Sequence, residues 1–455
     1  MNTGDIAHLM DTDGVTALGD YSAVVPVSPI AVVSPRNHAD CVAIVQWANR
    51  EGVSLVCRAG GTGTTGGALP ITANTVVVTM RHMNRVIAMD ESAATITVEP
   101  GVILAHIHDY VEGVGLFYPP DPASLAICTI GGNVMENAGG PRALKYGVTR
   151  NYVLGLKGVW GSGESFAYGG QCRKNVAGYD MIGLLTGSEG TLGIITEITL
   201  ALRPKPRVIR EMIVGYASSD DAVAALRNGM QQGVMPSTAE FMVDDCVAAS
   251  LAYLGVSALF ERHPAYVSWQ VDGFTEADVE AQLARIVASS NYAGCMPMDT
   301  PERSEHVWSI RRSVSLGFTK MAGKKYSEDI VVPVSQLSAT MLALADLAHE
   351  SGIRVVGYGH LGDGNIHVNI LKMGASDADW DRYAPDVVTS VMALAMRYGG
   401  SLSGEHGIGV TKKPYMGMQF TSNDLRVFAG IKSVVDPQGI MNPHKAIYDN
   451  DYKLR

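Results

Sequence analysis

Gly61-Thr-Gly63-Thr-Thr-Gly66, directly after the apolar run Val53–Cys57, is a literal G-x-G-x-x-G. In a dinucleotide-binding βαβ unit a helix must open at these glycines, so that its N-terminus faces the pyrophosphate. Here the chain continues Gly67-Ala-Leu-Pro-Ile-Thr-Ala-Asn-Thr-Val-Val-Val78. Pro70 opposes a helix, and Val76–Val78 reads as a further strand. The expected arrangement is strand, glycine loop, strand, which rules against a Rossmann site. Such a loop can still offer a row of backbone N–H groups to phosphate oxygens. A glycine-rich turn with no ligand is the competing reading.

Two further clusters follow. Residues 119–149 run from Pro-Pro-Asp-Pro122 through Gly131-Gly-Asn133 to Asn137-Ala-Gly-Gly-Pro-Arg142, and residues 186–196 read Thr-Gly-Ser-Glu-Gly-Thr-Leu-Gly-Ile-Ile-Thr. Small residues let a flat ligand approach the backbone, while Ser124, Thr129, Asn133 and Asn137 supply hydrogen-bonding groups. Any one cluster could be turn glycine. Three within 140 residues, all expected in strand–loop contexts, point to one extended cofactor lying across several loops.

The rest of the chain sets limits. Glycine accounts for 50 of 455 residues, charged residues for 18% and hydrophobic residues for 47%, with a net charge of −10. That balance suits a chain with sizeable cores and argues against disorder and against a general nucleic-acid binder. The N-terminal residues carry no signal-peptide pattern, and no apolar stretch reaches membrane-spanning length. The six cysteines are scattered without a C-x-x-C pair, so buried free thiols in a cytoplasmic protein are expected rather than an iron–sulfur cluster or zinc ribbon.

Residues 38–52 read as a helix, with Cys41, Ile44, Val45 and Ala48 on one stripe and Gly52 as its C-cap. Arg203-Pro-Lys-Pro206 breaks the chain. Beyond it, strands such as Val208–Val214 alternate with helices such as Glu276–Ala288, as in an α+β domain with helices on one sheet face. After Gly409 the chain reads mostly helical, closing on the turn chemistry of residues 436–443.

The second half also carries a metal-type pattern, Val356-Gly-Tyr-Gly-His360-Leu-Gly-Asp-Gly-Asn-Ile-His367-Val-Asn369. If Gly362–Asn365 is a hairpin loop, Leu361 faces Ile366 and His360 faces His367, close enough to share a metal. Asn369 falls on the same face as His367. Glu405, in Ser403-Gly-Glu-His-Gly-Ile-Gly409, is a third candidate ligand. Two imidazoles and a carboxylate suit zinc, manganese or non-haem iron; paired core histidines are the plain alternative.

Taken together, these strings resemble the FAD-linked D-2-hydroxyacid dehydrogenases of the vanillyl-alcohol oxidase and p-cresol methylhydroxylase (PCMH) superfamily. That group includes D-lactate dehydrogenase, the glycolate oxidase flavin subunit and D-2-hydroxyglutarate dehydrogenase. The resemblance spans roughly residues 20–450. It implies a PCMH-type FAD-binding domain over residues 1–206, an α+β substrate (cap) domain over 207–410, and a C-terminal helical segment, 411–455, returning to the FAD domain.

The resemblance further implies that Arg58, Ala59, Gly60, Gly61, Thr62, Gly63, Thr64, Gly66 and Gly67 hold the FAD pyrophosphate. It sets Pro119, Asp121, Ser124, Thr129, Gly132, Asn133 and Gly139 along the cofactor, and Glu189, Gly190, Gly193, Ile194 and Ile195 nearer its adenosine end. Asn442 matches a residue near the flavin ring, though a turn role fits it equally. No histidine occurs between Arg58 and Arg81, so FAD is expected to be non-covalent.

The metal-dependent members of this family carry such ligands at the positions matching His360, His367 and Glu405, which implies a divalent metal here, zinc first with manganese or iron as alternatives. His406 matches the catalytic base, and histidine's ordinary pKa of about 6.5 suits removal of a hydroxyl proton. Arg311 matches a substrate-side arginine, with Arg312 able to exchange roles, and Asn369 joins it as a substrate-binding residue. Relatives that bind dicarboxylates use a lysine just before an E-D-x-x-V-P string. Lys324 and Lys325 both precede Glu328-Asp-Ile-Val-Val-Pro333.

The implied activity is oxidation of a small D-2-hydroxyacid to its 2-oxoacid by hydride transfer to flavin. The electron acceptor is unspecified: cytochrome, quinone, electron-transfer flavoprotein or O₂. A cytoplasmic location, peripheral membrane attachment and a homodimer are compatible with the reading. A metal-independent flavin alcohol or phenol oxidase, a non-catalytic flavin electron-transfer subunit and a zinc hydrolase are its competitors.

Overall fold

Helix His38–Glu51 forms where the apolar spacing predicts it. Asn37 caps its start by accepting from the Asp40 N–H, and Gly52, at φ +65°, ends it. Its buried face, Ile44, Val45, Trp47 and Ala48, joins Val76, Val78, Val159 and Ile194 in one core. In this computed structural model, residues 4–11 and 18–446 are described. They fall into two units. The first comprises the chain up to Gly139, Val148–Lys205 and the chain from Glu405; the second comprises Gly140–Gly147 and Pro206–Gly404.

The first unit holds two principal sheets. Strands Ala31–Val33 and Ser54–Arg58 flank Thr75–Thr79, all parallel. Between Arg58 and Thr75 there are turns and bends and no helix, as Pro70 and the valine run require. The other sheet is antiparallel, in the order Val86–Asp90, Thr95–Val98, Gly193–Ala201, Val153–Trp160, Ser165–Gly169. Helix Ser422–Val435, opened by a Thr421–Asp424 capping box, lies in the C-terminal part of this unit.

One expectation is corrected here. The second glycine cluster is not strand and loop throughout, because Ile130–Glu136 is a helix ending at Asn137, φ +53°. Ile130 and Val134, four residues apart, bury one stripe, and the bare backbone of Gly131 lies against Pro100.

The second unit is built on a seven-stranded antiparallel sheet. Its order is Tyr292–Pro297, Val208–Tyr216, Ala265–Gly273, Thr238–Val243, Arg354–His360, Asn365–Leu371, Lys325–Val331. Helices cover both faces, not one as the sequence suggested. Met242, Tyr266, Val356 and Tyr358 pack with helices Asp244–Leu254 and Pro301–Ala322. Phe241, which alternation turns the other way from Met242, shares a small cavity with Val223, Leu337 and Met341 of helices Ser219–Gln231 and Leu337–Ser351. The run Ala265–Asp272 is accordingly buried at every position, the pattern of a strand covered on both sides.

The thiol expectation is met only in part. Cys41, Cys128 and Cys246 are buried, whereas Cys172 and Cys295 are exposed on the surface. Among the described residues no helix is long and apolar enough to cross a membrane.

Candidate active-site residues

In the first unit the loops after Ser54–Arg58 and before helix Ile130–Glu136 leave buried polar atoms without a protein partner among the described residues. These are Arg58 Nη1, Thr64 Oγ1 and Thr129 Oγ1. Arg58 uses its other terminal nitrogen on the Gly19 carbonyl at 2.7 Å. A buried polar group left unpaired is costly. A polar cofactor passing these loops would relieve all three, so the residues present fit FAD. Ala59 lies against Gly132, and Gly60 against the Ile127–Cys128 backbone, which joins the first two clusters at their backbones.

The third cluster is placed differently. Gly193, Ile194 and Ile195 belong to a strand, and the Ile194 side chain sits in the hydrophobic core. Glu189, at φ +51°, turns its carboxylate onto the N–H groups of Ile408 (2.8 Å) and Gly409 (2.7 Å). Burial raises the Glu189 carboxyl above the ordinary range, against those two hydrogen bonds. Burial, reinforced by Glu189, raises the neighbouring Glu136 well above it. Asn442 donates to the carbonyls of Gly67 (2.9 Å) and Glu189 (2.7 Å), tying its turn to the first and third clusters.

Glu405 and His406 open the last segment of this unit. The Glu405 side chain lies over Gly139, and His406 Nε2 is 3.9 Å from Glu405 Oε1. Thr65 Oγ1 donates to the His406 carbonyl at 3.3 Å. Asp121, Ser124 and Gly190 fall in loops and turns of the same unit, and Asn133 is buried within helix Ile130–Glu136. Pro119 is buried.

In the second unit the two histidines stand on one hairpin, in a register that differs from expectation. The loop is Leu361–Gly364, His360 pairs with Asn365, and Tyr358 pairs with His367. Gly364 forces this turn. Its φ is +81°, and a Cβ there would collide with the Val332 carbonyl. The shift is by two residues, so the side chains keep their face. His360 and His367 become diagonal neighbours, their rings 5.3 Å apart and edge to face.

Glu240, directly across the ladder from His360, meets its Nδ1 at 2.5 Å. Arg311 Nη2 reaches the other Glu240 oxygen at 2.5 Å, while its guanidinium lies 4.8 Å over the Tyr358 ring. Burial works to raise the Glu240 carboxyl, but the charges of Arg311 and His360 outweigh it and hold it below the usual range. Arg311 is thus engaged within the protein, with its buried Nε lacking a partner among the described residues. Two imidazoles on one face, one braced by a carboxylate, are a donor set that fits a divalent transition metal.

Asn369 is buried two residues beyond His367, where Lys325 Nζ donates to its Oδ1 at 2.9 Å. Lys325 also donates to Ser315 Oγ at 2.7 Å. Lys324, by contrast, is paired at the surface with Asp377. Arg312 is likewise exposed, bound to Glu305.

Sequence reasoning missed Glu240 and Asp329. Both are fully buried carboxylates on strands of this sheet, each opposite a candidate ligand. The available signal was acid set in an apolar strand run, one residue in Ala239-Glu-Phe-Met-Val243 and an adjacent pair in Glu328-Asp-Ile-Val-Val332. Such an acid needs partners.

The structure of p-cresol methylhydroxylase with substrate bound shares this fold. Its TM-score is 0.79 at 17% identity, covering 97% of this chain and 94% of that one. A PCMH-type flavin-binding fold joined to an α+β domain is thereby borne out. Residues 29–168 match the FAD binding domain family, and residues 205–446 match the family of FAD linked oxidases, C-terminal domain. The chain belongs to the FAD-linked oxidase family and is an oxidoreductase. The glycolate oxidase subunit GlcD of Bacillus subtilis (strain 168) is 34% identical over 420 residues, 92% of this chain and 88% of that protein. A D-2-hydroxyglutarate dehydrogenase of Stutzerimonas stutzeri (strain A1501) is 33% identical over 445 residues, 96% of this chain and 95% of that protein.

Proposed function

We propose that this protein oxidises a D-2-hydroxyacid to the 2-oxoacid, using non-covalent FAD and a divalent metal, zinc by preference, held by His360, His367 and Glu405. The observation that carries the metal reading is the hairpin face on which His360 and His367 sit with rings 5.3 Å apart. Family membership and the activities named for the relatives support the substrate class. When bound, FAD supplies the two-electron acceptor and the metal a Lewis acid.

The protein's own residues do the rest. His406 takes the proton of the substrate hydroxyl. Arg311 Nε and Asn369 receive the carboxylate at C1, whose burial needs a cation or donors. Chain continuity supports Glu405 as the third ligand. Gly404, the residue before it, is fixed to Asp329, and Asp329 is the cross-strand partner of His367.

A specific observation favours the dicarboxylate branch of this reading. Lys325 turns inward to Ser315 and Asn369, offering a cation for a second carboxylate. The physiological substrate is accordingly proposed to be of the D-2-hydroxyglutarate type, ahead of D-lactate or glycolate. Electrons are proposed to leave through a separate acceptor, either a protein or a quinone. The domain plan proposed is a PCMH-type FAD-binding domain over residues 1–206, a substrate cap over 207–410 and a C-terminal segment, 411–455, that belongs with the FAD-binding domain.

The test mixes the oxidised yellow protein anaerobically with D-2-hydroxyglutarate, D-lactate and glycolate, with and without a chelator. Flavin bleaching by the dicarboxylate, abolished by metal removal and restored by zinc, is expected. Bleaching that survives complete metal removal would overturn the metal role, and no bleaching by any hydroxyacid would overturn the activity.

A further inference from the structure

We propose that Glu240 is a positioning residue for the metal site, fixing the His360 ring so that Nε2 is the nitrogen presented to the metal. The proposal rests on the reading of His360 as a ligand. Its basis is the cross-strand pair itself. Glu240 and His360 face each other in register, and Glu240 Oε1 lies 2.5 Å from Nδ1. An ionised carboxylate only accepts hydrogen bonds, so Nδ1 must be the donor, which leaves the lone pair of the neutral ring on Nε2.

Glu240 is completely buried, and a carboxylate so placed persists only when its charge is met. Arg311 meets it from the second oxygen, and Arg311 is itself held over Tyr358. The carboxylate is therefore fixed from both ends, and the imidazole plane with it. Metal-binding histidines braced in this way gain basicity and orientation, and loss of the brace weakens metal binding by about 10–100-fold. A purely structural ion pair would make a different prediction: altered stability with no change in metal affinity.

The deciding variant is Glu240→Gln, which keeps the shape and an oxygen acceptor while removing the charge; Glu240→Ala removes the brace altogether. Zinc stoichiometry is measured by elemental analysis and zinc affinity by competition with a chromophoric chelator, with circular dichroism checking the fold. Glu240→Ala should bind zinc about 10–100-fold more weakly than the parent. Glu240→Gln should fall between them with a native spectrum. If the parent holds zinc stoichiometrically and Glu240→Gln binds it as tightly, the proposal is overturned while the metal reading stands. A parent that binds no zinc overturns both.

Discussion

Asp329 and His367 stand directly opposite each other on neighbouring antiparallel strands, the carboxylate oxygen 4.0 Å from Nδ1. The same buried carboxylate accepts hydrogen bonds from Ser403 Oγ and the Gly404 N–H, each at 3.0 Å, and from the Asn365 amide. One side chain thus holds the histidine hairpin and the chain immediately before Glu405. Replacing Asp329 by Ala removes an acceptor shared by three donors, and an unsatisfied buried group costs about 1–3 kcal/mol. Asp329→Ala should therefore lose about 3 kcal/mol of stability in urea unfolding. A loss below about 1 kcal/mol would mean that water or a neighbour replaces the carboxylate.

The two adjacent lysines should behave differently. Burial lowers the Lys325 amine to about 8, whereas Lys324 is exposed and bound to Asp377. Lys325→Met should raise KM for D-2-hydroxyglutarate at least about 10-fold, the order of one charge-assisted contact, and leave D-lactate nearly unchanged. Lys324→Met should change neither. The pH dependence has a definite sign. Lys325 is cationic below about 8 and loses its charge as the pH rises through that value. The dicarboxylate KM should then climb on the alkaline side, and in Lys325→Met that climb should vanish. Equal effects of both lysine variants would sink the assignment.

Much of this was legible in the sequence, for identifiable reasons. The helix from His38 and the strand Val153–Trp160 follow from apolar spacing and glycine stops, which are local properties. Rejection of a Rossmann site needed only Pro70 and the valines beyond it. The hairpin register was missed because one glycine decides it. Gly364 must sit where no Cβ fits beside Val332, a tertiary constraint without a local signature. Glu240 escaped notice similarly, since its two partners lie 71 and 120 positions away along the chain. The second layer of helices was hidden because strands covered on both faces lose the alternation that marks a single buried face.

His406 provides a prediction that separates chemistry from cofactor binding. Its side chain is partly exposed, and its carbonyl, not its ring, accepts from Thr65. Removing the ring should therefore leave the backbone anchor in place. His406→Ala should retain FAD at parental stoichiometry while the rate of flavin reduction by the hydroxyacid falls about 10²–10⁴-fold, the range for loss of a general base. Stopped-flow reduction at saturating substrate measures this directly. Parental reduction rates in the variant would remove His406 from the mechanism.

Lys445 supplies the last test, this time of the cofactor loop. Its ammonium is fully buried and surrounded by the carbonyls of Gly67 and Leu69 and by Asn442 Oδ1. Asn442 in turn donates to Gly67 and Glu189. Burial lowers the Lys445 amine to about 7, even with Glu189 and Asp20 acting to raise it. A lysine kept in so unfavourable a setting is explained by the loop it closes: three acceptors converge on it from Gly67, Leu69 and Asn442. Lys445→Met keeps the apolar stem but releases the Gly67–Leu69 turn. The variant should lose bound FAD on gel filtration, with affinity for added FAD reduced about 10-fold or more, equivalent to one or two charge-assisted hydrogen bonds. Zinc content, read on the same samples, should stay at the parental level because none of the acceptors that Lys445 binds, Gly67, Leu69 and Asn442, is among the proposed ligands His360, His367 and Glu405. Retention of FAD at parental affinity would show that the glycine loop holds its shape without the lysine.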